Sequence, residues 1–141
     1  MEAIVPYLSF NGNAAEALAF YANAFDGKIL FQQTFGESPM ANETPEDFKS
    51  KIMHAMFQAG DLTFMVSDCM PGQPVSSGTN MSSSLNFKSV ADIDKTFAAL
   101  SEGSNIIMPL QYTFWGAKFG MLADKFDISW MFNHDYEKKE K

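Results

Sequence analysis

The sequence predicts an α+β fold in which two βαβββ modules pair into a curved mixed sheet around a cleft. Its 141 residues suit a single domain, and a hydrophobic content of 46% is enough for a real core. The same order of elements also occurs twice. Phe10 stands ten residues before Phe20, and the same spacing separates Phe87 from Phe97, 77 positions further along. Because one such module cannot bury its sheet alone, we expect the two to pack together.

The first module is expected over about residues 1–67. A strand at 4–10 leads into a helix at 14–25, with Asn13 as N-cap and Glu16 completing a capping box. Asp26-Gly27 ends this helix, with Gly27 as the left-handed cap. Further strands are predicted at 28–35, 51–59 and 62–67, the last two joined in a hairpin by Gly60-Asp61.

A linker of about residues 68–81 leads to the second module, expected over 82–133. A strand at 83–87 precedes a helix at 90–100, which Ser89 caps with Asp92 at the matching box position. Strands are predicted near 105–112, 117–123 and 127–133. The first module also contains a polar segment at 36–50, which is interpreted as a lid, a dimer arm or plain disorder.

Charge and cysteine content restrict the partners and the compartment. The net charge of −7 repels phosphate backbones, so no nucleic-acid partner is expected. No apolar run is long enough to span a bilayer, and no membrane partner is expected. Cys69 is the only cysteine, which excludes an internal disulfide and fits a cytoplasmic protein. The mixed charges of residues 137–141 are typical of a solvated tail.

Three blocks of sequence carry a family resemblance. One runs from Pro6 to Ala17, with Phe20-Tyr21 after it. Another is His54-Ala55, followed by Gly60-Asp61-Leu62 and Met65-Val66-Ser67-Asp68. The last is Phe114-Trp115-Gly116, followed by Asp124-Lys125-Phe126 and Trp130. Together they are similar to the PhnB-like branch of the vicinal oxygen chelate superfamily, which has the glyoxalase/bleomycin-resistance fold. Asp127 is a departure, because relatives usually carry Gly there, so the final hairpin is expected to differ.

The resemblance also implies where a metal would bind. Metal-dependent members of the superfamily take up to four His, Glu or Gln ligands from the first and last strands of each half. In this sequence those positions fall next to Pro6, near Phe64-Met65-Val66, in Ser82-Ser83-Ser84, and near Met131 with Asn133 two residues on. None of these is a strong ligand for a divalent ion. The sequence therefore predicts no metal and no cofactor.

Five residues are candidates for ligand binding: Phe10, His54, Tyr112, Trp115 and Met131. His54 is also the one weak candidate for an acid–base catalyst, although a sheet histidine that bonds a neighbour is the plainer interpretation. By strand alternation His54 shares a face with Ile52, Met56 and Gln58. His134 is expected to be a solvated surface histidine, and no motif makes Cys69 a nucleophile.

Three functions remain open at this level. The first is a metal-independent small-molecule-binding protein that takes an apolar or aromatic ligand in the cleft. The second is an enzyme of unknown reaction with a degenerate site, in which His54 acts on a carbonyl or quinone-like group. The third is a dimeric interaction protein without a ligand. The resemblance implies a homodimer. A methyl-donor site is not expected, because the sequence has no Gly-rich loop that follows a strand within a βαβ unit.

Overall fold

The structure is a computed structural model, and it describes residues 1–70 and 72–136. The chain divides into two compact units, Met1–Ser76 and Ser77–Lys141. Each unit holds a four-stranded sheet and one α-helix. None of the helices among the described residues is long and apolar enough to cross a membrane.

The first unit follows the order strand, helix, three strands. Its α-helix is α1 (Ala14–Ala24). The strands lie in the sheet order β1-β4-β3-β2, with β1 parallel to β4 and the remaining pairs antiparallel. They are β1 (Tyr7–Phe10), β2 (Lys28–Thr34), β3 (Ile52–Ala59) and β4 (Leu62–Asp68).

The second unit repeats this arrangement. Its helix is α2 (Val90–Leu100), and its sheet order is β5-β8-β7-β6, again with one parallel pair, β5 with β8. The strands are β5 (Ser83–Asn86), β6 (Asn105–Tyr112), β7 (Ala117–Ala123) and β8 (Ser129–Asp135). The α+β fold with two βαβββ modules is confirmed.

One face of each sheet packs against the helix of its own unit and forms the core. In the first unit Tyr21 of α1 meets Phe64 edge to face at 5.5 Å, and Phe64 stacks on Phe57 at 4.7 Å. In the second unit Phe97 of α2 meets Phe132 at 4.9 Å. Each fully buried aromatic side chain of this kind stabilises the fold by roughly 1.5–3 kcal/mol.

The two helices begin by different means. Ser89 caps α2 as expected, because its hydroxyl accepts a bond of 3.1 Å from the Asp92 N–H. Asn13 makes no side-chain cap bond to α1, so that expectation was wrong. The carboxylate of Asp68, at the end of β4, takes its place and accepts 2.9 Å bonds from Gly12 N–H and Ala14 N–H.

The end of α1 also differs from the sequence expectation. Asp26, not Gly27, adopts the left-handed conformation, with φ of 53°. Gly27 is needed for a different reason, because a Cβ there would lie 2.4 Å from Cζ of Phe57 and 2.8 Å from the carbonyl oxygen of Gln58. Close packing of the turn on β3 therefore selects this glycine.

The segment at 36–50 is structured, in contrast to the disorder alternative. It contains three short 3-10 helices, at Phe35–Glu37, Ala41–Glu43 and Glu46–Phe48. The rings of Phe35 and Phe48 lie 5.0 Å apart. Thr34 and Glu37 form a reciprocal capping box at its start. This segment separates β2 from β3, whereas the second unit joins β6 to β7 by the short turn 113–116.

Asp127 occupies the left-handed position of the β7–β8 turn, with φ of 65°. The buried carboxylate of Asp124 organises this turn by accepting bonds from the N–H groups of Phe126 and Ile128. Its other oxygen accepts from the Trp130 indole at 2.9 Å. An aspartate thus adopts the conformation that favours glycine, and the hairpin still closes.

Candidate functional site

Each sheet has a second face, turned away from the helix of its own unit, which we call the helix-free face. Phe57 and Phe64 pack toward α1. Because side chains alternate along a strand, Met56 and Met65 lie on the opposite side. In the central strands β3 and β4 the residues of this face are half-buried, whereas most residues that face α1 are buried. In these central strands the helix-free side is therefore the more accessible one for a ligand.

An apolar row crosses the helix-free face of the first unit. It consists of residues that the strand register places side by side: Tyr7 opposite Met65, Met65 opposite Met56, and Met56 opposite Phe31. Tyr7 is 49% and Phe31 51% exposed, and they lie on the two edge strands of this sheet, β1 and β2. Aromatic and thioether groups of this kind are typical of adaptable ligand surfaces.

A polar row runs beside it, two residues along each strand. Ser9 faces Ser67 across β1 and β4, and Gln33 faces His54 across β2 and β3. His54 precedes Ala55, whose partner is Val66, so the register brings it level with Ser67. The His54 ring lies 6.1 Å from the Tyr7 ring and 6.1 Å from the Phe31 ring.

The alternation of side chains between the two sheet faces holds on the C-terminal side of His54 but not on its N-terminal side. Met56 and Gln58 share its face, whereas Ile52 does not follow the pattern. A register shift between Gln33 and Thr34 inserts one extra residue of β3 before His54. Ile52 is buried, and its N–H bonds the Asp68 carboxylate at 2.9 Å.

The second unit has two corresponding rows, with Ser84 as the one polar member of the apolar row and Phe119 as the one apolar member of the polar row. In its apolar row Met131 faces Ser84 on one side and Met121 on the other, and Met121 faces Met108. In its polar row the neighbours are Asn86, Asn133, Phe119 and Gln111. The Asn133 amide donates to Asn86 Oδ1 at 3.3 Å. Phe119 holds the place that His54 holds in the first unit.

Trp115 lies at the edge of this second face. It sits in the turn between β6 and β7, half exposed, with its ring 6.1 Å from Phe119 and 5.0 Å from Phe114. Since Phe119 belongs to the polar row, a ligand on this face would come within reach of the Trp115 indole.

Three of the five expected ligand-binding residues therefore reach a helix-free face: His54, Met131 and Trp115. Phe10 does not, because its side chain is 3% exposed in the core of the first unit. Tyr112 is 63% exposed but pairs with Lys118, whose ammonium lies 5.1 Å from its ring and also bonds Asp94 of α2. Tyr112 thus stands on the helix side of its sheet.

Residues missed at the sequence level complete both apolar rows: Tyr7, Phe31, Met56 and Met65 in the first unit, and Met108 and Met121 in the second. The sequence does hold a signal for them. Met121 stands 65 positions after Met56, and Met131 stands 66 after Met65, so the methionine pairs repeat between the halves.

The strand register shows the neighbours of the positions where the sequence resemblance implies metal ligands. Tyr7 faces Met65 at the junction of β1 and β4, and Ser84 faces Met131 at the junction of β5 and β8. A phenol with a thioether in the first unit, and a hydroxyl with a thioether in the second, are poor donor pairs for a divalent ion. Among residues 1–70 and 72–136 no three His, Cys, Asp or Glu side chains are grouped to hold a metal. The residues present do not fit that metal.

Two other reactive side chains lie away from the helix-free faces. Cys69 Sγ is 3.2 Å from Asn11 Oδ1, and that oxygen also accepts from the Val75 N–H at 2.8 Å. His134 is not a solvated tail residue, as expected, but lies half-buried in β8. Its Nδ1 is 2.8 Å from the Phe87 carbonyl oxygen, so its role is structural.

The comparison with protein families assigns this chain to a class. The model of the family described as 3-demethylubiquinone-9 3-methyltransferase matches residues 2–132, so the chain belongs to that family. It is a PhnB-like protein, as the sequence resemblance indicated, and it has the glyoxalase/bleomycin-resistance fold.

Particular relatives support this assignment. Protein YjdN of Escherichia coli strain K12 is 34% identical over 137 residues, which cover 91% of this chain and 92% of YjdN. The crystal structure of protein PA1353 from Pseudomonas aeruginosa is 42% identical with a TM-score of 0.84, covering 96% of this chain and 98% of that one.

Two further structures relate the fold to its superfamily. A putative 3-demethylubiquinone-9 3-methyltransferase, PhnB protein, from Bacillus cereus is 28% identical with a TM-score of 0.78, over 94% of this chain and 99% of that one. A glyoxylase/bleomycin resistance protein/dioxygenase domain from Frankia shares the fold at 14% identity, with a TM-score of 0.69 over 99% and 96% of the two chains.

Proposed function

We propose that this chain is a metal-independent small-molecule-binding protein, which takes an apolar or aromatic ligand on its helix-free sheet faces. One observation carries the proposal. The imidazole of His54 stands between the rings of Tyr7 and Phe31, beside the thioethers of Met56 and Met65, on a face that the unit's own helix leaves uncovered. Ligand sites in proteins are mostly apolar with a few polar groups, and this face has that composition.

Metal independence is the second part of the proposal, and the donor set at the family's metal positions supports it. Tyr7, Met65, Ser84 and Met131 offer neither an imidazole nor a carboxylate. The ligand would therefore be held by apolar contact and hydrogen bonds rather than by coordination.

The methyl transfer named in the family's description is not part of the proposal. A Gly-rich strand-to-helix turn that binds a nucleotide-type cofactor keeps its backbone N–H groups free for that cofactor. Here the N–H groups of Gly12 and Ala14 already bond the buried Asp68 carboxylate. The β1–α1 turn thus does not fit a methyl donor, and no step is derived through one.

Methionine methyl groups provide the test, because both apolar rows contain them. We would label the methionine methyls with ¹³C, add a panel of aromatic ligands and record two-dimensional NMR spectra. The signals of Met56 and Met65 should move with ligand concentration, whereas the exposed Met81, in the chain before β5, should stay in place. Equal shifts at all methionines, or none at any, would contradict the proposal.

A matched pair of variants sharpens this test. Phe31→Ala removes an exposed ring from the apolar row, and Phe114→Ala removes an exposed ring from the β6–β7 turn. Phe31→Ala should weaken binding to the first unit by about tenfold or more, and Phe114→Ala should leave that binding unchanged. Treatment with a chelator should not alter the affinity; a loss that added Zn²⁺ or Mn²⁺ restores would exclude metal independence.

An enzyme with a degenerate site is the second candidate. It is favoured by the nearness of His54 to Tyr7, because the His54 imidazole and the Tyr7 phenol can both transfer protons. If a substrate is found, His54→Gln should lower kcat by about a hundredfold while binding persists. Full activity in that variant would remove His54 from any catalytic role.

A homodimer is the third part of the proposal. β2 and β6 are edge strands, and equivalent stretches of both expose apolar residues, Ile29-Leu30-Phe31 in one and Ile106-Ile107 in the other. Exposed apolar edges favour pairing with another chain. Light scattering should give twice the chain mass, and Leu30→Lys or Ile107→Lys should halve it. A monomeric unmodified protein would exclude the dimer.

A cytoplasmic location completes the proposal, supported by Cys69 as the sole cysteine, which leaves no internal disulfide to form. Cell fractionation with an antibody against the chain tests it, and recovery in the periplasmic or secreted fraction would contradict it.

A further inference from the structure

We infer that the ligand is an uncharged, flat molecule with one apolar edge and one edge that carries hydrogen-bonding oxygen or nitrogen atoms. This inference rests on the proposed binding function and names the class of ligand. Its origin is the apolar row of each helix-free face and the polar row beside it, which contains Ser67 and His54 in the first unit and Asn86 and Asn133 in the second. Further polar residues, among them Thr63 and Gln58, lie on the other side of the apolar row in the first unit.

The spacing between the rows sets the dimension of the ligand. Residues of one row follow those of the other two positions along the same strand, as Met65 and Ser67 do on β4 and Met131 and Asn133 do on β8. Two residues of strand advance about 6.6 Å. A molecule that touches both rows must therefore be about as wide as a substituted ring system, with its polar atoms on one side.

The same division is present in both units. On β4 and β8 the apolar row has Met65 and Met131 at equivalent places. The polar row has Gln33 next to His54 in the first unit and Gln111 next to Phe119 in the second.

The distribution of charged side chains indicates that the ligand is uncharged. The chain carries a net charge of −7, yet neither row in either unit contains Asp, Glu, Lys or Arg. The nearest charged side chains in register are Lys28 in the first unit, beside Gln58, and Asp135 in the second, bonded to the Asn133 amide at 3.3 Å. A ligand carboxylate or phosphate would find no cation between the rows, and burying it there unpaired is costly.

The amides of Asn133 and Asn86 in the second unit are placed to hydrogen-bond the polar edge of such a ligand. The Asn133 amide nitrogen donates to Asn86 Oδ1 and to Asp135 Oδ1, each at 3.3 Å, and these two bonds fix the amide plane. Fixed amides and hydroxyls favour a ligand that supplies the matching hydrogen bond. A ligand that lacks a hydrogen-bonding group would cover these protein groups and leave them unpaired, which costs free energy.

Three probes with one ring system test the class: 2-naphthol, naphthalene and 2-naphthoate at neutral pH. The first carries a neutral hydroxyl, the second has no polar atom, and the third carries a carboxylate. The expected order places 2-naphthol about tenfold tighter than each of the others, the difference that one net hydrogen bond or one unpaired charge produces. The readout is the ¹³C-methyl shift of Met56, Met65, Met121 and Met131.

Each outcome has its own meaning. If naphthalene binds as tightly as 2-naphthol, or if 2-naphthoate binds best, the inferred ligand class is wrong while the proposed binding function stands. If none of the probes, nor any ligand of the wider aromatic panel, shifts these methyls, the binding function itself fails.

Two variants separate the rows. Ser67→Ala and Asn133→Leu remove polar atoms and keep most of the side-chain volume. Each should reduce 2-naphthol affinity by roughly threefold or more and leave naphthalene affinity within about twofold. Met65→Ala should weaken both probes alike. A Ser67→Ala protein that unfolds at the normal urea concentration and retains full preference for 2-naphthol would overturn the role of the polar row.

Discussion

The Asp68 carboxylate, at the end of β4, accepts a 2.9 Å hydrogen bond from the backbone N–H of Ala14, the first residue of α1. The two residues are 54 positions apart in the chain. The same carboxylate also accepts from Gly12 and Ile52, so one buried side chain joins the helix start, the β1–α1 turn and the start of β3. It acts as the N-cap that Asn13 does not provide.

Replacing Asp68 with Ala should lower the free energy of unfolding by about 3 kcal/mol or more, because three backbone N–H groups lose a charged acceptor in a buried place. Urea unfolding followed by circular dichroism measures it. Asn13→Ala should be nearly neutral, whereas Ser89→Ala should cost about 1 kcal/mol through loss of the α2 cap. Equal losses in Asn13→Ala and Ser89→Ala would show that Asn13 caps α1 after all.

Gly27→Ala should destabilise the first unit by about 1–3 kcal/mol, because the new methyl group would overlap Phe57 and the backbone oxygen of Gln58. Gly78→Ala is the matched control. Its nearest neighbour would be Asn80 Oδ1 at 3.5 Å, which is ordinary contact. Thermal unfolding of both variants decides the point, and a Gly27→Ala protein as stable as Gly78→Ala would refute the close approach.

Asp127→Gly should stabilise the protein by roughly 0.5 kcal/mol. Relief of the left-handed conformation at φ of 65° outweighs the greater freedom of glycine in the unfolded chain. Asp61→Gly, in a turn where Asp61 has an ordinary negative φ, should instead lower the stability by a similar amount. If the two variants shift the melting temperature in the same direction, the backbone argument does not hold.

The carboxyl group of Glu37 should titrate below its ordinary pKa of 4.5, since its ionised form accepts hydrogen bonds from the backbone N–H and then from the hydroxyl of Thr34. A lowered folded pKa means that the bonds contribute fully above the unfolded pKa and are lost as the pH falls through the folded pKa. The 3-10 turn at Phe35–Glu37 should therefore loosen only in acid.

An NMR titration of the Glu37 side chain measures that pKa. Thr34→Val removes the hydroxyl and keeps the backbone donor, so the pKa should rise part of the way toward 4.5. A Glu37 pKa that Thr34→Val leaves unchanged would show that the hydroxyl takes no part.

His54 illustrates how far sequence reasoning reaches into the site. Its position in a strand followed from the alternation of residues 51–59, and so did its sharing a face with Met56. Its aromatic neighbours did not follow, because Tyr7 and Phe31 come from two other strands and meet His54 only through the pairing register. Register depends on which strands lie side by side, and a single sequence contains no direct record of that.

The amino-acid sequence by itself determined the α+β class, the two modules and the place of nearly every helix and strand, because periodicity and capping act over three or four residues. Ser89 and Asp92 belong to that local level. Only the tertiary structure decided that Asp68 caps α1, that Phe10 is core, and that methionines and polar groups form two parallel rows. Those relationships join residues up to 58 positions apart, such as Tyr7 and Met65, and they come from packing and register, which close only when the whole sheet forms.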